Sequence, residues 1–131
     1  MLTSTELRRM ACAKLRDARV LYASKRYDSA VYLCGYAVEL ALKARICKTL
    51  NWPGFPATNK EFDGLGSLKV HDLEILLRLS GRNKLVKDQY LAEWSTVATW
   101  TPAMRYNPAG SIDGSRAKKM LDAATLLVRK L

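Results

Sequence analysis

His71 is the only histidine in the chain, so every acid–base mechanism that needs an imidazole near neutral pH must use this residue. The three cysteines, Cys12, Cys34 and Cys47, include no CxxC pair, and a structural zinc site needs about four ligands in paired spacing. We therefore expect reduced thiols in core or boundary positions and no metal site. Glycine-rich phosphate loops, HExxH and GxSxG motifs are absent from the sequence, so we also expect no cofactor.

Two arginines stand directly before a tyrosine, in Arg26-Tyr27 and in Arg105-Tyr106. Each pair follows a predicted helix and falls in a predicted loop. A guanidinium can hold a phosphate while the neighbouring aromatic ring stacks on a base. These four residues are therefore candidates to bind a nucleotide or RNA.

Glu39 and Lys43 are the charged exceptions in an otherwise apolar stretch. They stand four residues apart with the acid first, which is the favoured orientation for an ion pair within a helix. One interpretation is a structural pair, because an unpaired charge would be costly there. The other is a contact with a nucleotide. For His71 the structural alternative to an active-site role is capping of the third helix or hydrogen bonding within the loop.

Helical periodicity extends over most of the chain, and no alternating strand pattern of useful length occurs. Thr3 and Glu6 have the spacing of a capping box, and Asp28 is the predicted N-cap of the second helix. That helix is apolar nearly all round and should be central, and Gly35 would permit close approach of a neighbouring backbone. The predicted helices cover residues 3–24, 29–50, 71–80, 83–98 and 113–131, and a long loop covers residues 51–69.

The sequence therefore predicts an all-α fold, an up-and-down bundle of four to five antiparallel helices in one domain over residues 1–131. The longest apolar run, residues 30–38, is far shorter than the roughly 20 residues that a bilayer requires. A basic region leading into an apolar stretch is missing at the N-terminus, so we expect a cytoplasmic protein with no membrane association.

The net charge of +10 is unevenly distributed along the chain. Residues 1–49 carry +6, residues 50–81 carry −1 and residues 82–131 carry +5. The total exceeds the range of about 2 to 8 that keeps a small domain in solution. This excess favours a partner that bears phosphate groups, such as RNA or a nucleotide.

Three segments resemble one known family. The first segment consists of residues Arg26–Ala30 and Tyr36–Ala44, and it ends in Glu-Leu-Ala-Leu-Lys-Ala. It resembles the signature stretch of the HEPN family, the higher eukaryotes and prokaryotes nucleotide-binding domain. His71–Leu73 is similar to the start of the next helix in that family, and Met104–Tyr106 to the segment before its last helix. The resemblance implies a helical bundle that forms a homodimer. It also implies a nucleotide or RNA ligand and, in bacteria and archaea, a small nucleotidyltransferase partner in toxin–antitoxin pairs.

Many members of the family are metal-independent ribonucleases whose site is an arginine, four to six residues, and then a histidine. No arginine occurs in the seven positions before His71, and no histidine follows Arg82 or Arg105. The sequence therefore predicts a non-catalytic HEPN-like domain. Two alternatives remain: a ribonuclease toxin with an altered site built on Arg82, Lys87, Arg105 or His71, and a protein-interaction module that uses exposed aromatic residues of the loop after the second helix.

Overall fold

The computed structural model describes all 131 residues, and its regular secondary structure is helical. The only strand-like pairing is a single bridge between Leu2 and Phe55. The predicted all-α fold is thus confirmed. Six α-helices are present, α1 (Ser4–Ala23), α2 (Tyr27–Thr49), α3 (Leu73–Leu79), α4 (Asn83–Gln89), α5 (Leu91–Val97) and α6 (Gly114–Lys130), together with two 3₁₀ helices, Gly66–Leu68 and Pro102–Tyr106.

Helix α1 begins where the sequence predicts. The Thr3 hydroxyl accepts a hydrogen bond from the Glu6 backbone N–H at 3.1 Å, and the Glu6 carboxylate accepts one from the Thr3 N–H at 2.7 Å. This reciprocal capping box satisfies two donors that the first turn leaves free. The Ser4 hydroxyl bonds to the Ala44 carbonyl, and Arg8 bonds to the Val128 carbonyl. The start of α1 therefore lies against the ends of α2 and α6, so α1 is antiparallel to both.

Helix α2 is central, as predicted, with buried residues on most of its circumference. Gly35 packs against the indole ring of Trp100, and a Cβ atom built on this glycine would lie 2.1 Å from that ring. The indole nitrogen donates a hydrogen bond to the Tyr32 carbonyl at 3.1 Å. The close neighbour of Gly35 is thus a tryptophan side chain and not a backbone as predicted, and it ties the segment before the second 3₁₀ helix to α2.

The predicted N-cap of α2 is wrong. The helix begins at Tyr27, and Arg26 occupies the cap position without a side-chain hydrogen bond. The Asp28 carboxylate instead accepts hydrogen bonds from the backbone N–H groups of Gly110 at 2.6 Å and Ile112 at 3.0 Å. These N–H groups lie more than 80 residues away in the chain, so local capping rules could not reveal them.

Two further helix boundaries differ from the prediction. Asp72 caps α3 by accepting from the N–H groups of Glu74 and Ile75, so His71 is not the cap. The predicted helix over residues 83–98 is two helices, because Tyr90, at φ −133° and ψ 35°, leaves the helical conformation between α4 and α5.

The loop between α2 and α3 turns its aromatic residues inward. Phe55 is 2% exposed and contacts Trp52 and Phe62, whose ring centroids lie 6.2 and 6.3 Å away. Trp52 and Phe62 are half-buried against the core. The interaction-module alternative therefore lacks the exposed loop aromatics on which it depended.

None of the helices combines the length and apolar character that a membrane crossing requires.

Candidate functional site

One side of α2 carries a row of polar and aromatic residues. Tyr32, Tyr36, Glu39 and Lys43 follow one another at spacings of four, three and four residues, which places them on the same side of an α-helix. Tyr32, Tyr36 and Lys43 are half-buried, whereas most of the helix is fully buried. We call these four residues the polar face of α2.

Glu39 is the centre of this face, and its side chain is only 3% exposed. Its Oε1 atom lies 2.9 Å from His71 Nδ1, and its Oε2 atom lies 3.4 Å from Lys43 Nζ. A buried carboxylate without partners would be strongly unfavourable, so these two contacts account for its presence in the core. The predicted ion pair is present, and the structure adds the histidine to it.

The orientation of His71 follows from its contact with Glu39. Because Nδ1 faces the carboxylate, Nε2 is the ring nitrogen left for a ligand, and 59% of the side chain is exposed. A carboxylate that fixes an imidazole in this way also fixes its tautomer. The arrangement resembles the acid–histidine pairs that orient a general base.

A cavity of about 270 Å³ adjoins this cluster between α1, α2 and the loop that precedes α3. Lys43 Nζ lies 5.3 Å from the centroid of the Phe55 ring, which forms part of the apolar wall. Tyr36 lines the same cavity. Burial raises the pKa of its hydroxyl, and the nearby Glu39 raises it further. The phenol is therefore a hydrogen-bond donor at neutral pH.

The Arg105–Tyr106 pair lies in the second 3₁₀ helix, on a segment we call the Arg105 loop (residues 101–112). Tyr106 is 78% exposed, and the Arg105 guanidinium carbon lies 5.0 Å from the centroid of its ring. The hydroxyl groups of Tyr106 and Tyr32 raise the pKa of Arg105 above its usual value. Arg105 thus carries a permanent charge, and no carboxylate forms a salt bridge with it.

The Arg105 loop is held at the first turns of α2 by Asp28 and by Trp100. A second cavity of about 420 Å³ lies there, lined by Asp28, Tyr32 and Arg105 among others. Tyr32 also belongs to the polar face, and seven residues separate it from Glu39, which is about 10 Å along a helix. Both cavities therefore open along one side of α2.

The other sequence-predicted residues lie elsewhere. Arg26 is exposed at the start of α2 and lines neither cavity. Tyr27 is half-buried, and its ring centroid lies 5.7 Å from that of Tyr22. Lys87 pairs with Glu74, which also accepts a hydrogen bond from Trp94 Nε1 at 3.0 Å.

Sequence reasoning missed Tyr32 and Tyr36. Their signal was present in the spacing, because both tyrosines share the helical side of Glu39 and Lys43. Because the sequence predicts that α2 is buried nearly all round, it places these two tyrosines in the core.

The HEPN domain model matches residues 4–53, a range that contains α1, α2 and the whole polar face. No curated protein and no solved structure matches the chain. The match confirms the resemblance carried by residues 26–30 and 36–44. Residues 4–53, which hold α1 and α2, are therefore similar to the HEPN domain family.

Proposed function

We propose that this HEPN-like domain binds a nucleotide or RNA along the polar face of α2 and the Arg105 loop, and that it does not cleave the ligand. The family match supports a nucleotide-binding or ribonuclease-type domain in general terms. The observation that carries the specific proposal is the exposed Tyr106 ring beside Arg105, which has no carboxylate partner. The proposal includes a cytoplasmic location and, in line with the family resemblance, a homodimer with or without a nucleotidyltransferase partner in a toxin–antitoxin system.

The chemistry of the loop suits a single-stranded ligand. Stacking of a base on an aromatic side chain contributes about 1–3 kcal/mol, and it is available only to a ring that is accessible from solvent. Arg105 can donate to a phosphate oxygen because no protein carboxylate competes for it. From Tyr32 to Glu39 the face extends about 10 Å, roughly the length of three stacked nucleotides at ~3.4 Å each.

The first experiment measures binding of a fluorescently labelled single-stranded RNA by anisotropy at low salt. We expect Tyr106→Ala to weaken binding by about 5- to 150-fold, which corresponds to the loss of one stacking contact. Arg105→Ala should weaken it as well. Lys60→Ala is the matched control, because it removes one exposed positive charge far along the sequence from the Arg105 loop. Unchanged affinity in both loop variants would contradict the proposal.

A second candidate function is a metal-independent ribonuclease, and the Glu39–His71 contact is the observation that favours it. A general base must be within hydrogen-bond reach of its substrate and correctly oriented, and His71 meets the second condition. However, the cavity that His71 lines contains Lys43 and Lys69 but no arginine. Within one chain, therefore, the histidine and Arg105 do not share a cavity.

The RNA recovered from the binding assay separates the two functions. Intact RNA after incubation with EDTA supports the binding domain. The alternative result is that the wild-type protein cleaves RNA in EDTA and that His71→Asn abolishes cleavage but keeps its affinity for RNA. That result would establish the ribonuclease instead. Retained affinity is the control, because a misfolded variant would lose both properties.

A further inference from the structure

Three arginines from separate parts of the chain gather at the end of the bundle where α2 and α6 terminate. Arg8 lies in α1, Arg45 in α2, and Arg82 directly before α4. We call Arg8, Arg45 and Arg82 the arginine cluster. All three side chains are half-buried.

Specific contacts between the helices bring the cluster together. The Thr49 hydroxyl donates to the Ser80 carbonyl at 2.6 Å, which fixes the turn carrying Arg82 against the last turns of α2, one turn beyond Arg45. The Ser4 hydroxyl donates to the Ala44 carbonyl at 3.2 Å, which brings the first turns of α1, and with them Arg8, to the same level. The cluster is therefore built by the packing of three elements.

No acid compensates these charges. None of the salt bridges in the structure involves an arginine. The Nε atoms of Arg45 and Arg82 are buried and have no hydrogen-bond partner. Burial lowers the pKa of Arg45, and the charges of Arg82 and Arg8 lower it further. Buried donors without acceptors are rare in native proteins, so this arrangement needs a ligand or a structural compensation.

The compensation available within the chain is small. Arg8 donates to the Val128 carbonyl at 2.9 Å, near the C-terminal end of α6, where the helix dipole favours a cation. This contact uses Arg8 alone and leaves the buried Nε atoms of Arg45 and Arg82 without an acceptor. The side-chain oxygen of Asn83, the residue after Arg82, is also buried without a hydrogen-bond partner.

A groove of about 330 Å³ begins at Arg8 and contains no acidic residue. Its lining includes the hydroxyl groups of Ser4 and Thr5 and further cations from α1 and α2, namely Arg9, Arg16 and Lys48. Because Arg8 belongs to both the groove and the arginine cluster, the two form one basic surface. It differs from the polar face, since Arg45 lies nine residues after Tyr36, about 180° around α2.

We propose that the arginine cluster binds a phosphate group. Guanidinium groups donate paired N–H bonds that match phosphate oxygens, and three of them can surround one such anion. The anion would supply the acceptors that Arg45 and Arg82 lack and would neutralise their mutual repulsion. The proposal does not depend on the Arg105 loop.

The test is thermal unfolding of the whole chain in inorganic phosphate, compared with chloride at equal ionic strength. At ten times the dissociation constant we expect phosphate to raise the Tm by about 5 °C. Arg45→Gln should abolish this rise. In phosphate-free buffer the same variant should unfold at an equal or higher Tm, because it removes a repulsive charge. If Arg45 had only a structural role, Arg45→Gln would lower the Tm in phosphate-free buffer.

Arg82→Gln provides the second variant, in case Arg45→Gln does not fold, and Lys60→Ala is the charge-matched control that should keep the phosphate effect. Equal Tm values in phosphate and chloride would overturn the proposal. A phosphate effect that survives in the glutamine variants would also overturn it. Arg105→Ala should retain the effect, so failure of the proposed RNA site and failure of this phosphate site can be told apart.

The source of the phosphate is determined with two RNA oligonucleotides that differ only at the 5′ end. Tighter binding of the 5′-phosphorylated RNA, lost in Arg82→Gln, assigns the site to a terminal phosphate. Equal binding of both RNAs, weakened by Arg82→Gln, assigns it to backbone phosphodiesters. A phosphate effect on Tm with no change in RNA affinity assigns it to free phosphate.

Discussion

At the scale of single residues, burial decides which reactive groups can react. Cys34 and Cys47 lie in the core on α2, whereas Cys12 is exposed on α1. Burial raises the pKa of the Cys34 thiol to about 12 and also raises the pKa of Cys47. The thiolate is the reactive form, so both buried groups are protonated and inaccessible at neutral pH.

We therefore predict that one thiol of the folded protein reacts rapidly with a disulfide reagent at pH 8 and that three react after denaturation. The raised pKa values place the ionisation of the buried thiols above this pH, so raising the pH to 9 should not expose a second reactive group. Cys12→Ser is the control and should remove the rapid phase. Rapid reaction of two thiols in the native state would show that the core opens more readily than its packing indicates.

Glu39 has one contact that the sequence predicts and one that it does not. Its partner Lys43 follows from the four-residue spacing within one helix, which the sequence displays directly. Its other partner, His71, lies 32 residues away and depends on the path of the loop between α2 and α3. Only that path brings the single histidine to the buried carboxylate.

At the scale of elements, the contact between α2 and Trp100 positions the Arg105 loop. The indole ring fills the space over Gly35, and Trp100 is only 4% exposed. Because the Arg105 loop follows this tryptophan directly, its position depends on that contact. The glycine lowers intrinsic helix stability by about 1 kcal/mol, which the close packing of the ring offsets.

We predict that Gly35→Ala destabilises the protein by about 1–3 kcal/mol despite the higher helix propensity of alanine, because its Cβ atom would overlap the indole ring. Denaturant unfolding measures this change. RNA affinity should also fall, since the Arg105 loop must shift. Gly66→Ala is the matched control: nothing lies within 4 Å of its Cβ position, so its effect should be within about 0.5 kcal/mol. Wild-type stability in Gly35→Ala would contradict this account of the packing.

The break between α4 and α5 is a second element-level feature. The apolar pattern of residues 83–98 continues through Tyr90, so periodicity alone predicts one helix. In the structure the Tyr90 ring lies 5.9 Å from Lys130 Nζ near the end of α6. The chain reorients at this point, and sequence periodicity carries no signal for such a change of direction.

At the scale of the whole molecule, arginines without an acidic partner lie on two different surfaces. Arginines form none of the salt bridges, while lysines, the histidine and the N-terminus form all of them. Arg105 stands beside the polar face, and the arginine cluster lies on another side of α2. The unpaired guanidinium groups are therefore available to anionic ligands.

We predict a strong dependence of RNA affinity on salt concentration. Each phosphate contact to a single strand contributes about −0.7 to the slope of log affinity against log salt. Four contacts would reduce affinity about 50-fold between 50 and 200 mM salt. Arg105→Ala should make the slope shallower by about 0.7, whereas Lys60→Ala should leave it unchanged. A slope near zero would exclude phosphate contacts as the source of affinity.

The sequence by itself determined the all-α class, the capping box of α1, the central place of α2 and the basic ends of the chain. These depend on residues within a few positions of one another, where periodicity and hydrogen-bonding preference act. Only the tertiary structure decided that His71 meets Glu39, that Asp28 anchors the Arg105 loop, and that three arginines converge. Those contacts join residues tens of positions apart, and they follow from how the helices pack, which local preferences do not specify.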